Sequence, residues 1–411
     1  MTDPRGCCFV SYRRIRASEV GELARRLRVR GIPLWVDISD LGSGSTEEQI
    51  RQALESDGCS CALVWVTPEV EQSAVIRRVE VPGIVRRAQS RDGFFAVFVA
   101  AGGLDYEGAA RVAIENPGTT DLRSWNQRRV DSDPAASSEL DALAELVLSE
   151  RLSAGVARLR DGDPMRVGLW VRRAPPTNAN GHLELDWSDS FAGRRANLGA
   201  WESELLPALS IVHRTLGRRA GGRAIIGHGH PTLAAAVALG RAFPAVANIP
   251  LSWEQVSHDG SRSEWSLAVH AEPSGYDVRT SGIDVSGEGL AVLVSVMHDA
   301  GPAFGATTGL PSMRTSIEIF PSVGRPRRPL TAAGAAQLAS EVALAIREAR
   351  SEYIGIKEIH LFLAAPVGLA VMLGQLLNAL GPITVYEHVD DDAVGWYRPE
   401  VRLLPGSGQL V

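Results

Sequence analysis

The chain has 411 residues, the length of two or three domains at about 100–200 residues each. Apolar residues make up 45% and charged residues 22%, which excludes disorder over most of the length. A net charge of −6 and a pI near 5.9 exclude a broad basic face for duplex nucleic acid, but not a site for a small, locally neutralised anion. Of the 42 lysines and arginines only Lys357 is lysine, a skew that reads as a GC-rich genome.

Cys8-Phe-Val-Ser-Tyr12 predicts a strand, and Val20, Leu23, Ala24 and Leu27 predict a helix that Ser18 caps and Gly31 ends. Ile32–Val36 predicts a second strand, and Ser45 with Glu48 a capping box for a helix carrying Ile50, Ala53 and Leu54. Cys59–Thr67 is continuously apolar, the pattern of a strand buried on both faces. A helical stretch follows from Ser73 to Ala88 with a break predicted at Pro82, and Phe94–Ala101 is a fourth strand. This alternation predicts an α/β fold with a doubly wound parallel sheet. Residues 102–135 read as irregular, and a leucine-rich helix spans Ser138–Leu159. Asp161-Gly-Asp-Pro164 breaks the chain, which places the domains at residues 1–155 and 156–411.

Cys7, Cys8, Cys59 and Cys61 all fall in the first 61 residues. A disulfide framework would be spread out, so they read as buried thiols on two core strands of a cytoplasmic protein. The start, Met1-Thr-Asp-Pro-Arg5, has no apolar signal region. Leu361 to Tyr386 lacks charge, but Pro366, Gly368, Gly374, Gly381 and Pro382 suit a strand, a turn and a helix, so no membrane span is expected.

The second part repeats itself. Ala224-Ile-Ile-Gly-His-Gly-His-Pro231 leads into a helix at Thr232–Phe243, and Ile359-His-Leu-Phe-Leu-Ala-Ala-Pro366 leads into one at Val367–Leu380. With Pro231 matched to Pro366, the helices align through Gly240 and Gly374 with one residue of slack. Val167–Val171, Leu183–Trp187 and Leu290–Met297 supply further strands of two Rossmann-like halves.

Few residues announce chemistry. His228-Gly229-His230 has no third ligand at metal spacing, so no metal is expected. The helix N-terminus at Thr232 offers N–H groups to an anion beyond a strand end. Glu80 shares a helical stripe with Ile76 and Ile84 beside the expected break, which would turn it to a cleft or to solvent.

Phe9-Val-Ser-Tyr-Arg-Arg14, Gly31-Ile-Pro-Leu-Trp-Val-Asp37, Leu41-x-x-Gly44, Val64-Trp-Val-Thr-Pro68 and Ser73-x-x-Ile76-x-x-x-Glu80 occur in that order. Together they resemble a TIR domain across about residues 5–150. The resemblance implies a flavodoxin-like five-stranded parallel sheet and cleavage of NAD+ at the nicotinamide–ribose bond, with Glu80 as the catalytic carboxylate. It implies substrate contacts at Tyr12, Arg13, Arg14, Asp40, Leu41, Gly42, Gly44, Thr46 and Ile76, where Ile76 replaces a tryptophan frequent in the family. Arg13 or Arg14 would meet the pyrophosphate, or form surface pairs.

Leu185-Asp-Trp-Ser-Asp-Ser-Phe191-Ala-Gly-Arg194-Arg195, Trp201 and Leu205-Leu-Pro-Ala208, with the two βα units, are similar to the pseudo-duplicated, CARF-like SAVED domains. That resemblance implies recognition of a cyclic oligonucleotide messenger, an activator such as cyclic tri-adenylate, in CBASS antiphage defence. It also implies assembly into filaments. Trp187 and Phe191 would stack bases, or Trp187 would serve as core beside Leu183 and Leu185. Arg194 or Arg195 would meet phosphate. The turns at His228, Gly229 and His230 and at Ala364–Pro366, with the corner His298-Asp299, would complete the pocket. The leading expectation is thus a messenger-activated NAD+ hydrolase, set against a non-catalytic TIR scaffold and a messenger-degrading SAVED domain.

Overall fold

The structure, a computed structural model, describes residues 2–36, 46–90, 92–115, 127–130, 138–247, 249–270, 272–282, 284–322, 329–377, 379–390 and 394–405. The chain divides into two compact units, Met1–Asp161 with Pro176–Asp186 and Arg214–Gly221, and Gly162–Pro175 with Trp187–His213 and Gly222–Val411.

The first unit holds strands β1 (Cys7–Ser11), β2 (Leu34–Val36), β3 (Cys59–Val66), β4 (Phe95–Ala100) and β5 (Gln127–Arg129). They form one parallel sheet in the order β2-β1-β3-β4-β5, the flavodoxin-like order of a doubly wound sheet. Its helices are α1 (Ala17–Val29), α2 (Thr46–Glu55), α3 (Val81–Gln89), α4 (Tyr106–Ala113) and α5 (Ser138–Val156). All of β3 is buried. Ala62, Val64 and Val66 pack with Ile50 and Leu54 of α2 and Ile84 of α3, while Leu63 and Trp65 are buried outside that cluster. Gly31, at φ +91°, ends α1; a Cβ there would lie 2.7 Å from Leu183 Cβ, so glycine is required twice over.

Three local expectations change. Ser18 does not cap α1, because a 3-10 turn at Arg14–Arg16 runs into the helix and Arg16 takes the N-cap. The helix does not break at Pro82. A π-helical turn over Ile76–Glu80 passes directly into α3, with Val81 in helical geometry and its N–H bonded to Ile76 O. Pro82 then sits in the first turn of α3, where its missing donor has no partner to lose. Within residues 102–135, α4 forms because Asp105 caps it, accepting from Gly108 N at 2.6 Å, and β5 closes the sheet.

In the second unit, β6 (Met165–Trp170), β10 (Ile225–His230) and β11 (Leu251–Val256) are parallel, and β12 (Arg262–Trp265) is antiparallel beside β11. Between them in sequence come β7 (Leu183–Asp186, grouped with the first unit) and the short hairpin β8 (Phe191–Ala192) and β9 (Arg195–Ala196). A six-stranded sheet follows, in the order β13-β15-β14-β16-β17-β18, from Tyr276–Gly282 (β13), Gly289–Ser295 (β14), Met313–Pro321 (β15), Glu358–Ala364 (β16), Ile383–Val389 (β17) and Trp396–Leu403 (β18). Its four inner strands are parallel and the two edges antiparallel. The helices are α6 (Leu233–Ala242), α7 (Gly301–Ala306), α8 (Ala332–Glu352) and α9 (Val367–Leu376). Among the described residues no helix is long and apolar enough to cross a membrane.

The repeat is real at the level of packing. β10–α6–β11 and β16–α9–β17 are the same unit, and α6 packs on α9 through Gly240 and Gly374. A Cβ on Gly240 would overlap the Val371 carbonyl oxygen, and one on Gly374 that of Val237. The N-caps are Thr232 and Pro366, so the interval from cap to glycine is identical in both halves. The correct alignment pairs Thr232, not Pro231, with Pro366 and needs no slack.

Candidate functional site

In the first unit Glu80 closes the π turn and is only 6% exposed, on the buried stripe with Ile76 and Ile84. It faces neither solvent nor a break in the helix, because the continuous π-to-α passage keeps it against the core. Tyr12 is also buried, Arg13 half-buried and Arg14 exposed. Ser11 Oγ and Arg13 Nε, at the carboxyl end of β1, are buried and have no hydrogen-bond partner among the described residues. Unpaired buried polar atoms at a strand's carboxyl end are what a polar ligand would satisfy. Asp40, Leu41, Gly42 and Gly44 lie outside the described residues, and so does the side chain of Thr46. A cavity of about 320 Å3 lies on the flank of α3 instead, lined by Val79, Gly83, Arg86 and Arg87 with Leu54 and Arg51. Sequence reading gave no signal for it, since its residues look like ordinary surface arginines.

In the second unit the N-terminus of α6 is already occupied, contrary to the expectation that it is open to an anion. Thr232 Oγ1 accepts from Ala235 N at 3.2 Å, and Glu387 Oε1, from β17, accepts from Ala234 N at 2.8 Å. The other half answers in kind: Gln255 Oε1, from β11, accepts from Gly368 N of α9 at 2.9 Å. Ala234 and Gly368 are both second in their helices, and Gln255 and Glu387 are both fifth in their strands. Each half therefore caps the helix of the other. Glu387 is 3% exposed, and burial, with the Glu400 charge adding to it, pushes its carboxyl up to about 7 against the pull of the Ala234 amide and Arg194.

Beyond the carboxyl ends of β14 and β15 lies a cavity of about 340 Å3, lined by Arg279, Ser295, Asp299, Glu318 and Phe320. The Arg279 guanidinium stands 5.2 Å over the Phe320 ring and pairs with Glu318. Ser295 Oγ accepts from Ala300 N at 3.0 Å at the foot of α7. Such a cavity offers an aromatic edge, a cation and polar groups at the strand ends where α/β sheets take ligands.

Residues 210–403 match the family model described as SAVED, the SMODS-associated and fused to various effectors sensor domain. That segment is a SAVED domain. Two curated relatives are similar: CD-NTase-associated protein 4 of an Acinetobacter sp., 26% identical over 254 residues, and its namesake in Moraxella osloensis, 26% over 253. Each covers 59% of this chain and 49% of the relative, so the chain spans about half the length of the curated relatives it matches. The structure of the Acinetobacter baumannii Cap4 SAVED/CARF-domain containing receptor with the cyclic trinucleotide 3'3'3'-cAAA aligns at a TM-score of 0.48 and 16% identity, covering 89% of this chain and 86% of that one. The same receptor with 2'3'3'-cAAA aligns at 0.47 and 16%, covering 88% and 86%.

The expected messenger residues fall into separate groups. In the SAVED domain His228 and His230 lie on β10 itself, not in a turn, at 6.1 and 5.6 Å from the Trp170 ring. Burial, with Arg173 and Arg172 nearby, lowers the His230 pKa. Gly229, at φ +120°, has its Cα against the Leu169 backbone, where any side chain would collide. Arg194 and His298 are linked through a chain of contacts. Arg194 reaches Asp390 at 3.8 Å, Asp390 bonds His388 at 2.8 Å, and His388 stands 5.5 Å from His298. Asp299 lines the cavity, while Ala364 O holds the β14 corner by accepting from Met297 N at 2.7 Å, and Pro366 N-caps α9. Arg195 is exposed on β9. Trp187 cannot stack a base: it is wholly buried, edge-on to Trp201 at 5.8 Å. Phe191, also buried, meets the same ring. The alternation with Leu183 and Leu185 had signalled this core role. Sequence reasoning missed Arg279 and Phe320 because they lie on β13 and β15, strands it did not recognise, and it read Ser295 only as part of the strand Leu290–Met297.

Proposed function

We propose that the chain is a cyclic-oligonucleotide-activated NAD+ hydrolase, an effector of CBASS defence with a TIR domain at its N-terminus. The sensor half of this reading rests on the SAVED match at residues 210–403. The catalytic half is carried by one observation: a glutamate buried on the helix after β3 of a sheet ordered β2-β1-β3-β4-β5, the position of the essential TIR carboxylate. Breaking the nicotinamide–ribose bond gives an oxocarbenium-like ribose, and nicotinamide leaves as a neutral group without an acid. Glu80, as a carboxylate, would orient the ribose hydroxyls and stabilise that cation. Arg13, with its unpaired Nε, would take a phosphate oxygen or the ribose edge at the end of β1. On the sensor side a cyclic trinucleotide such as cyclic tri-adenylate would place a base on Phe320 and a phosphate on Arg279, and its binding would drive self-association into filaments that complete the TIR sites. The test is release of nicotinamide from NAD+ by the full chain with and without a panel of cyclic oligonucleotides. Messenger-dependent release supports the reading, and none with any member of a panel that binds refutes it.

A further inference from the structure

The cavity on the flank of α3 takes part in neither NAD+ cleavage nor messenger binding. It lies within the first unit and takes up about 320 Å3 between α2 and α3. Val79, Gly83, Arg86 and Arg87 recur at helical spacing along α3 and the turn before it, beside the buried stripe of Ile76, Glu80 and Ile84. Leu54 of α2 stands opposite. Gly83 keeps the gap open: a Cβ there would already lie 3.3 Å from Leu54 Cδ1, so a larger side chain would fill the space between the helices. Arg51, Arg78, Arg86 and Arg87 line the cavity against two acids, Glu55 and Asp92, in a chain whose net charge is −6. The four cations differ in what holds them. Arg87 is fixed, donating to Leu54 O and, at 3.0 Å, to Thr2 Oγ1, with its guanidinium 4.7 Å over the Phe94 ring. Asp92, 3.7 Å from Arg87 Nε, already accepts from Thr2 Oγ1 at 2.7 Å and Phe94 N at 2.9 Å. Arg51 and Arg78 pair with Glu48 (3.5 Å) and Glu115 (2.8 Å). Arg86 is exposed and has no ion-pair partner among the described residues.

We propose that this cavity binds a mononucleotide, with its phosphate on Arg86 beside the fixed Arg87 and its base against Leu54 and Val79. Guanidinium groups suit both parts of such a ligand, because they pair with phosphate through parallel N–H bonds and stack on planar rings. Glu55, exposed at the same cavity, accepts from the ribose hydroxyls, which a carboxylate does and a phosphate would repel. The apolar wall between the charges gives the base a place that an inorganic anion would leave empty. The volume is at the lower end of the about 300–1,000 Å3 of small-molecule sites. It encloses one nucleotide and is too small to enclose the dinucleotide NAD+ or a cyclic trinucleotide, so the site is distinct from both ligands proposed above. Its occupation does not involve the carboxylate of Glu80, so it stands or falls apart from NAD+ cleavage.

The experiment is calorimetric titration of the full chain with adenosine 5'-monophosphate, adenosine and inorganic phosphate as probes. The monophosphate should bind, and adenosine and phosphate should each bind at least about tenfold more weakly, since each lacks one half of the contacts. Arg86→Ala should weaken the monophosphate about tenfold or more at an unchanged unfolding temperature, because the residue is exposed. Arg13→Ala and Arg279→Ala, which alter the two other proposed sites, should bind it as the parent does. No binding of the monophosphate at millimolar concentration overturns the proposal. Adenosine or inorganic phosphate binding as tightly as the monophosphate overturns it too, the latter marking a plain anion site. So does an affinity that survives Arg86→Ala, and its loss in Arg13→Ala or Arg279→Ala would place the nucleotide at that other site.

Discussion

Glutamine at position 387 should make the SAVED domain more stable at neutral pH and remove a pH dependence that the parent carries. Glu387 ionises against burial and against Glu400, which is itself tied to Ala196 N, Trp201 Nε1 and Arg398; the Ala234 amide, Arg194 and Thr232 favour its charge. The folded carboxyl titrates near 7 and the unfolded one near 4.5. The folded state therefore holds a proton that the unfolded state has lost between those values, and stability falls as pH rises through that window. The rise corresponds to about 3 kcal/mol, since a tenfold change in proton affinity is about 1.4 kcal/mol. Glu387→Gln keeps the oxygen that accepts from Ala234 N and reproduces the neutral cap that Gln255 already gives α9. Urea unfolding of the full chain followed by fluorescence, run in parallel at pH 5 and pH 8, isolates this one carboxyl because every other group is common to both proteins. The variant should match the parent near pH 5 and exceed it by about 2–3 kcal/mol at pH 8. Parallel pH profiles, or a variant weaker than the parent at pH 8, would show that Glu387 is not held neutral by its site.

Three further outcomes follow from the geometry. Glu80→Gln should reduce messenger-stimulated nicotinamide release by several orders of magnitude and leave messenger binding by calorimetry unchanged. Arg279→Ala, which removes the cation over Phe320, should weaken binding of cyclic tri-adenylate by about 1.5–3 kcal/mol, roughly tenfold to over a hundredfold in Kd; an unchanged Kd would exclude the β14–β15 cavity. Gly240→Ala puts a methyl group into the Val371 carbonyl and should cost about 1–3 kcal/mol or more in thermal unfolding, whereas Gly305→Ala, in open space on α7, should cost little.

What the sequence made legible is what local rules control. Period and composition identified β1, β3 and β4 because strands buried on both faces are nearly all apolar; the stripe of Ile76, Glu80 and Ile84 singled out Glu80, but the break expected beside it pointed to a cleft or to solvent and not to the core where it lies. Pro82 misled because its usual effect is to break a helix, and the π turn upstream lets the same residue act as a first-turn proline. The short α4 escaped notice because Gly108 and Ala-rich composition carry little periodicity, although Asp105 followed by Gly108 was a usable cap signal.

The reciprocal caps show why the sensor's centre was harder to read than its strands. Capping rules search within a few residues of a helix start, but the acceptors for α6 and α9 arrive from strands 153 and 113 residues away in sequence. With Thr232 aligned to Pro366, however, the packing glycines Gly240 and Gly374 coincide, and Gln255 and Glu387 hold the same place, the fifth, in the strands that follow. In this duplicated unit one free N–H of each helix is satisfied from the other copy, where α6 and α9 pack on one another. The one asymmetry, amide on one side and acid on the other, then has a physical consequence that neither half would show alone: the α6 cap titrates and the α9 cap does not. Glu387 does not line the β14–β15 cavity where the messenger is proposed to bind, so messenger affinity should not follow the Glu387 titration as the solution is acidified from pH 8 to pH 6, although stability does. An affinity that rises with that titration in the parent chain and is level in Glu387→Gln would place messenger phosphate at the α6–α9 seam instead.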